Sequence, residues 1–269
     1  MIAIVCIYNN KKMLDETLLK SLQGQTARFE LIALDNSDSR FASAAQALNY
    51  GARQIKADSN YIMFAHQDIN ICSASWLEDV EKMLDALPNL GVAGVAGNSE
   101  KENRLITNIT HGTPPRNDGY ELHQPVSAMT VDECCAIIPA DVFKRHRFNE
   151  EVCDDWHLYV VEYCLRVKAT GLDVYVLPAE LHHLSMGSLN AGYFKTLKKV
   201  LQEYRTAYPK IYTSCGSWDA RTPVAQQRVQ RVAEKIFYGF TGRLIASGLV
   251  PEWLQRKKKR RLQAGSPTQ

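Results

Sequence analysis

Three short apolar runs constrain this chain more than any other feature. Ile2 to Ile7, Phe29 to Leu34 and Tyr61 to Ala65 each run without glycine or proline into abrupt polarity. The polar stops are Tyr8-Asn9-Asn10, Asp35-Asn36-Ser37-Asp38-Ser39 and His66-Gln67-Asp68. Such runs read as buried strands. Between them the apolar spacing turns helical: Leu14, Leu18 and Leu22 in a helix over Met13 to Gln23, then Ala45, Leu48, Ala52 and Ile55. Strand, helix, strand, helix, strand with short polar turns predicts right-handed βαβ units in a parallel sheet. All three polar stops then emerge on one sheet edge, the edge where open α/β sheets bind ligands.

The second half is less regular. Trp76 to Leu87 is predicted as a helix closed by Pro88, and Val92 to Ala96 as a strand. Asn98 to Val126 carries Pro114-Pro115 and Asn117-Asp118-Gly119; a loop this long is a lid, a binding loop or a surface excursion. Ala136 to Pro139 reads as a strand, Ala140 to Arg145 as a short helix, and His157 to Thr170 as an amphipathic helix stopped by Gly171. Val174 to Pro178 is a last strand, aimed at His182-His183. From about Asn190 the pattern becomes helical and basic, so 190–269 is expected to form a helical extension.

The net charge of +3 depends on one run, Arg256 to Arg261, which holds six of 32 basic residues. The remainder is slightly acidic, which argues against a general nucleic-acid binder. Ahead of the run lie Phe237, Phe240, Leu244, Leu249 and Trp253, so a solvated tail and an anionic membrane contact are both open. Seven scattered cysteines lack CxxC spacing and mostly sit in apolar stretches. No disulfide framework is legible, so a reducing, cytoplasmic setting is expected. Neither a signal-peptide pattern nor a run of about 18–20 apolar residues is present.

Taken in order, several elements resemble the nucleotide-sugar-dependent glycosyltransferases of family 2. These are Ile4-Val5-Cys6-Ile7-Tyr8-Asn9, Ser21-Leu22-Gln23-Gly24-Gln25-Thr26, Phe29 to Ser37, and Ala65-His66-Gln67-Asp68. Phe148-Asn149-Glu150-Glu151, Tyr163-Cys164-Leu165-Arg166 and His182-His183 before Gly187-Ser188 follow. The resemblance implies an α/β GT-A fold: a Rossmann-like, mostly parallel sheet flanked by helices. On that reading 1–97 is the nucleotide-sugar half, 98–189 the acceptor and catalytic half, and 190–269 the appended extension. It also implies a UDP- or dTDP-sugar donor, a divalent metal on the diphosphate, and inverting transfer to a saccharide or lipid-linked acceptor. Tyr8, Asn9 and Asp35 would contact the nucleoside, with His66 and Gln67 beside them. His66 stands where the family's Asp-x-Asp motif has its first acid, and a His-Gln-Asp branch looks similar. The acidic pair usual before the Cys-Leu-Arg segment is here Tyr159-Val160.

The residues themselves assign further roles. Asp68, just past a buried strand, is the expected ligand for Mg²⁺ or Mn²⁺, cations that prefer oxygen donors. His183 or His182 would complete the shell; neighbours in a strand face opposite ways, so one of the two reaches it. An attacking hydroxyl needs a base within hydrogen-bond reach, and Asp155, with Asp154 second, is the candidate. Asp155 also reads as a helix N-cap, and Glu162 as an ordinary i,i+4 partner of Arg166. Trp156 offers a face to an acceptor sugar or to the core, and Asp132 and Glu133 offer acceptor-hydroxyl contacts. Two rivals stay open: a nucleotidyltransferase, although Tyr8-Asn9-Asn10 supplies no phosphate-loop glycine, and a catalytically silent sugar-binding module.

Overall fold

The computed structural model describes residues 1–246 except 57, 100–103, 118, 186 and 188, with side chains to 237 except that of 235. Two compact units emerge, Met1–Arg221 and Thr222–Gln269. In the first, β1 (Ile2–Tyr8) lies parallel between β2 (Phe29–Asp35) and β3 (Tyr61–His66). The register puts Tyr8 opposite Asp35 and Ile7 opposite His66, so the three polar stops do share one edge. Cys135–Pro139 runs antiparallel to β3, and Leu90–Gly94, Asp173–Val176 and Val126–Ser127 complete a seven-stranded sheet. Its direction is mostly parallel: Cys135–Pro139 and Val126–Ser127 run against the rest.

Alternation along the strands splits the core between the two faces. Ile2, Ile4, Cys6 and Met63 pack with Leu14, Leu18, Leu22, Trp76, Val80 and Leu84. Val5, Ile62 and Phe64 pack with Ala45, Leu48, Phe143, Phe148 and Tyr163 on the other. All seven cysteines are free thiols, and the five in apolar stretches of the core are buried.

The helix expected over Met13 to Gln23 spans Lys11 to Leu22 and widens to π geometry over Asp15–Leu19. Thr17 Oγ1 sits 2.5 Å from Met13 O and 2.6 Å from Gln67 O. Its one proton can satisfy either, so the widened turn ties this helix to the polar stop of β3. The irregular stretch after Asn98 contributes two strands rather than one long loop. Leu105–Thr107 pairs with Ala96–Asn98, and Ile109–His111 runs parallel to Leu181–His183. Runs of three residues are too short to show a period in sequence.

The first unit reaches past the expected boundary at 189. Helix Ala191–Tyr204 buries Tyr193, Leu197, Val200 and Leu201, and hairpin Lys210–Thr213/Gly216–Asp219 buries Ile211 and Trp218. Thr130 Oγ1 donates to Tyr212 O, so the hairpin belongs to the sheet-bearing unit. In the second unit, helix Val224–Ala246 exposes Val229, Val232, Ile236 and Phe237. Leu249, Trp253 and the basic run 256–261 lie outside the described residues, as do the side chains of Phe240 and Leu244. Among the described residues no helix is long and apolar enough to cross a membrane.

Candidate active site

The polar stop of β3 turns directly into β4 (Ile69–Ile71), which pairs antiparallel with Leu181–His183. That pairing sets His183 opposite Ile69, and Leu184 N donates to Asp68 O. The local ladder thereby brings three side chains together. His66, Asp68 and His183 place their ligand atoms within 4.8 Å of one another. His183 Nε2 lies 3.4 Å from His66 Nδ1 and 3.3 Å from Asp68 Oδ1, and Ser185 Oγ stands 3.2 Å away.

This donor set fits a divalent cation. Metal–ligand bonds of about 2.0–2.2 Å put neighbouring ligand atoms roughly 3.0–3.6 Å apart, the spacing of His183 from both His66 and Asp68. Two imidazoles and one carboxylate suit Mn²⁺ better than Mg²⁺. Burial opposes charge on Asp68, yet His183 and His66 hold its carboxyl far below the ordinary range. Burial pulls the His66 pKa down, which keeps its ring neutral and able to ligate. His66, expected beside the nucleotide, thus joins the metal group. The strand alternation decides between the two adjacent histidines: His182 turns away, its Nε2 2.8 Å from Gly112 O.

Gln67 is committed to the first loop. Its Oε1 accepts from the Asn9 and Asn10 amides at 3.1 and 3.0 Å, and its Nε2 donates to Asn9 Oδ1 at 2.9 Å. It positions that loop through its own amide. Asp35 is exposed at the end of β2, accepting from Ser37 N at 2.8 Å. That bond, with a lesser one from Tyr8, lowers its pKa, and burial with the nearby Asp35 raises that of Tyr8. Tyr8 and Asp35 therefore form one polar rim at the strand ends.

Beside the metal group lies a cleft of about 220 Å³. His66, His183, Asp132, Glu133, Trp156 and His157 line it, with Ser214 and Cys215 from the hairpin tip. Asp132 accepts from Cys134 N at 3.0 Å and from the Ser214 hydroxyl, and these bonds outweigh burial to lower its pKa. Glu133 is different. Its Oε1 is sealed from solvent without a hydrogen-bond partner, and burial, helped by the Asp132 charge, pushes its pKa up to about 8. Trp156 is 37% exposed, open to a ligand rather than packed in the core.

The two candidate bases are not among the cleft-lining residues. Asp154 Oδ2 accepts from Lys195 and Lys199, each at 2.9 Å, and both bonds lower its pKa. Asp155 Oδ1 accepts from Trp156 N at 2.7 Å, and both carboxylate oxygens lie 2.6 Å from where a Cβ on Gly192 would sit. Asp155 is no helix cap either, because the helix begins at Tyr159 after Leu158 in a left-handed turn at φ 65°. Burying Leu158 holds this strained residue, and the loop it ends presents Trp156 and His157 to the cleft. Glu162 is fully buried, bonded to Arg166 at 3.0 Å and to the Tyr204 hydroxyl at 2.7 Å, a structural role. Sequence reading missed His157, whose apolar neighbours suggest a helix start, and His111, whose ring lies 5.5 Å from that of His183.

Residues 3–204 match the model of the Glycosyltransferase like family. No curated protein sequence matches the chain. Among solved structures, S. aureus TarS superposes with a TM-score of 0.53 at 13% identity over 77% of this chain and 40% of its own. GalNAc-T7 with UDP, GalNAc and Mn²⁺ gives 0.56 at 11% identity over 75% of this chain and 48% of its own. The Pyrobaculum calidifontis mannosyltransferase PcManGT, in complex with GDP-Man and Mn²⁺, gives 0.50 at 12% identity, covering 77% and 63% respectively. The chain thus spans less than two thirds of the length of these structures, and the shared fold is GT-A.

Proposed function

The chain belongs to the Glycosyltransferase like family, and from that premise we propose that it transfers a sugar, with inversion, from a nucleotide-sugar donor to a saccharide or lipid-linked acceptor. The observation that carries the reading is the His66–Asp68–His183 group at the end of β3, opening on the cleft of Glu133, Trp156 and His157. Structures of GalNAc-T7 with UDP and Mn²⁺, and of PcManGT with GDP-Man and Mn²⁺, favour the same donor class and ion.

In this reading Tyr8, Asn9 and Asp35 form the nucleoside rim, and Gln67 holds the Asn9 loop for it. His66, Asp68 and His183 hold Mn²⁺, which when bound neutralises the diphosphate of the leaving group. Trp156 supplies an aromatic face for the acceptor sugar, and Asp132 accepts from its hydroxyls. The basic run 256–261 and the exposed apolar residues of the last helix favour contact with an anionic membrane face, where each basic residue contributes about 1 kcal/mol.

Thermal denaturation with a panel of UDP-, GDP- and dTDP-sugars, with and without Mn²⁺, tests the donor. A ligand that binds only the folded chain raises its melting temperature by mass action. Stabilisation by a nucleotide sugar that needs Mn²⁺ is expected. A panel that produces no shift in either condition would remove the donor assignment.

A further inference from the structure

His157 lines the cleft, and none of the sequence motifs marks it. Its ring is half-buried in the cleft wall and meets Tyr193 edge-on, with centroids 5.8 Å apart. The side chain of Asn190, the cap of helix Ala191–Tyr204, lies near the ring and favours its protonated form. That preference puts the acceptor of the amide, its oxygen, on the side of the ring. The same oxygen accepts from Tyr193 N at 3.0 Å, which fixes its direction. A neutral imidazole held by one nitrogen keeps a lone pair on the other.

We propose that His157 takes the proton of the attacking acceptor hydroxyl, and that Asn190 is the positioning residue that sets its tautomer. The assignment rests on the glycosyl-transfer reading. As the acceptor oxygen bonds to the anomeric carbon, the bond from that carbon to the donor phosphate breaks and its electron pair leaves with the nucleoside diphosphate. The hydroxyl proton passes to the free ring nitrogen, forming an imidazolium that the Asp155 charge favours.

Other groups around the cleft are less suited. Asp154 is tied to two lysines, and Asp155 does not line the cleft. The Glu133 Oε1 atom is sealed, and the two bonds to the Asp132 carboxylate lower its pKa and make it the weaker base. His66 and His183 belong to the metal group. Burial draws the His157 pKa below its ordinary value, offset by Asp155 and Asn190, so the ring is neutral near neutral pH. The titratable groups that face it are Asp155 on its own loop, Tyr193 on the helix and His66 on β3.

The test uses the full chain with Mn²⁺ and UDP-, GDP- and dTDP-sugars, reading nucleoside diphosphate release with water as acceptor. His157→Ala should lose roughly 10²–10⁴-fold in turnover, the scale of a positioned base, with donor affinity unchanged. Added imidazole should restore part of it. Wild-type turnover should fall as pH drops through the ring pKa, below 6.5, and the variant should lack that limb. Turnover within a few-fold of wild type, or a limb that persists in the variant, overturns the assignment. If the intact chain turns over no donor, the glycosyl-transfer reading fails, and the ring can still be judged. Nitrogen-15 histidine spectra should show His157 neutral at about pH 7, protonated on the nitrogen facing Asn190. Asn190→Ala should mix the tautomers. A charged ring, or a proton on the other nitrogen, rejects the proposal without any assay.

Discussion

His183 Nε2 stands 3.3 Å from Asp68 Oδ1 because the strand following one pairs with the strand ending in the other. The next ring along, His182, instead reaches Gly112 O on the opposite face of the same ladder. One residue of register separates a member of the candidate metal group from a backbone prop.

Substitution should reproduce that division. Asp68→Ala and His183→Ala should each weaken Mn²⁺ binding by more than the roughly 10–100-fold typical of losing an outer-shell partner. His182→Ala should leave it within a few-fold and cost stability by about 1 kcal/mol, one hydrogen bond. Calorimetric titration of Mn²⁺ with UDP, in folded variants, makes the comparison. Equal losses in His182→Ala and His183→Ala would mean that the ladder does not select the ligand.

Gln67 should act at a distance from chemistry. Gln67→Ala removes the acceptor for the Asn9 and Asn10 amides and the donor to Asn9 Oδ1. Nucleotide affinity should fall by about tenfold, near the free energy of one hydrogen bond, while turnover at saturating donor changes little. A loss confined to turnover would instead put Gln67 in contact with the reacting groups.

The sheet, and the placing of Asp68 beside His183, were legible because both rest on local pattern. Apolar runs ending in His66-Gln67-Asp68, and alternation at His182-His183, are short-range signals. What escaped depends on distant partners. Asp154 reads as a free acid until Lys195 and Lys199 arrive from a later helix. His157 reads as the first turn of a helix because nothing local announces that Leu158 takes a left-handed turn. Hairpin Lys210–Asp219, which brings Ser214 to Asp132, hides in a stretch whose pattern suggested a helical, basic extension.

Gly97 is a packing prediction in the strand behind the cleft. A Cβ there would lie 2.5 Å from Thr130 O and 2.6 Å from Val176 Cγ2. The first is backbone in a paired strand and cannot swing aside. Gly97→Ala should cost about 1–3 kcal/mol, as overpacking does. Gly24→Ala, whose Cβ would meet nothing nearer than Ser21 O at 3.9 Å, is the control. Urea denaturation of both variants reads the difference, and equal stabilities would refute the clash.

Glu133 should leave a signature in the pH dependence of stability. Its folded pKa is raised to about 8 from 4.5, chiefly by burial and then by the Asp132 charge. Between those values the unfolded chain has released this proton and the folded chain still holds it. Stability therefore falls as pH rises through that window, and levels off above it. Below 4.5 both states are protonated and the group contributes no slope. Glu133→Gln removes the titration but keeps the shape, and its amide oxygen can still face Leu158 N as the carboxylate does. Other carboxylates give both proteins the same background, so the difference in melting temperature isolates Glu133. That difference, variant minus wild type, should climb from pH 4.5 to about 8 and then stay flat. A difference that does not change with pH would show that Glu133 ionises in the folded chain as readily as in water.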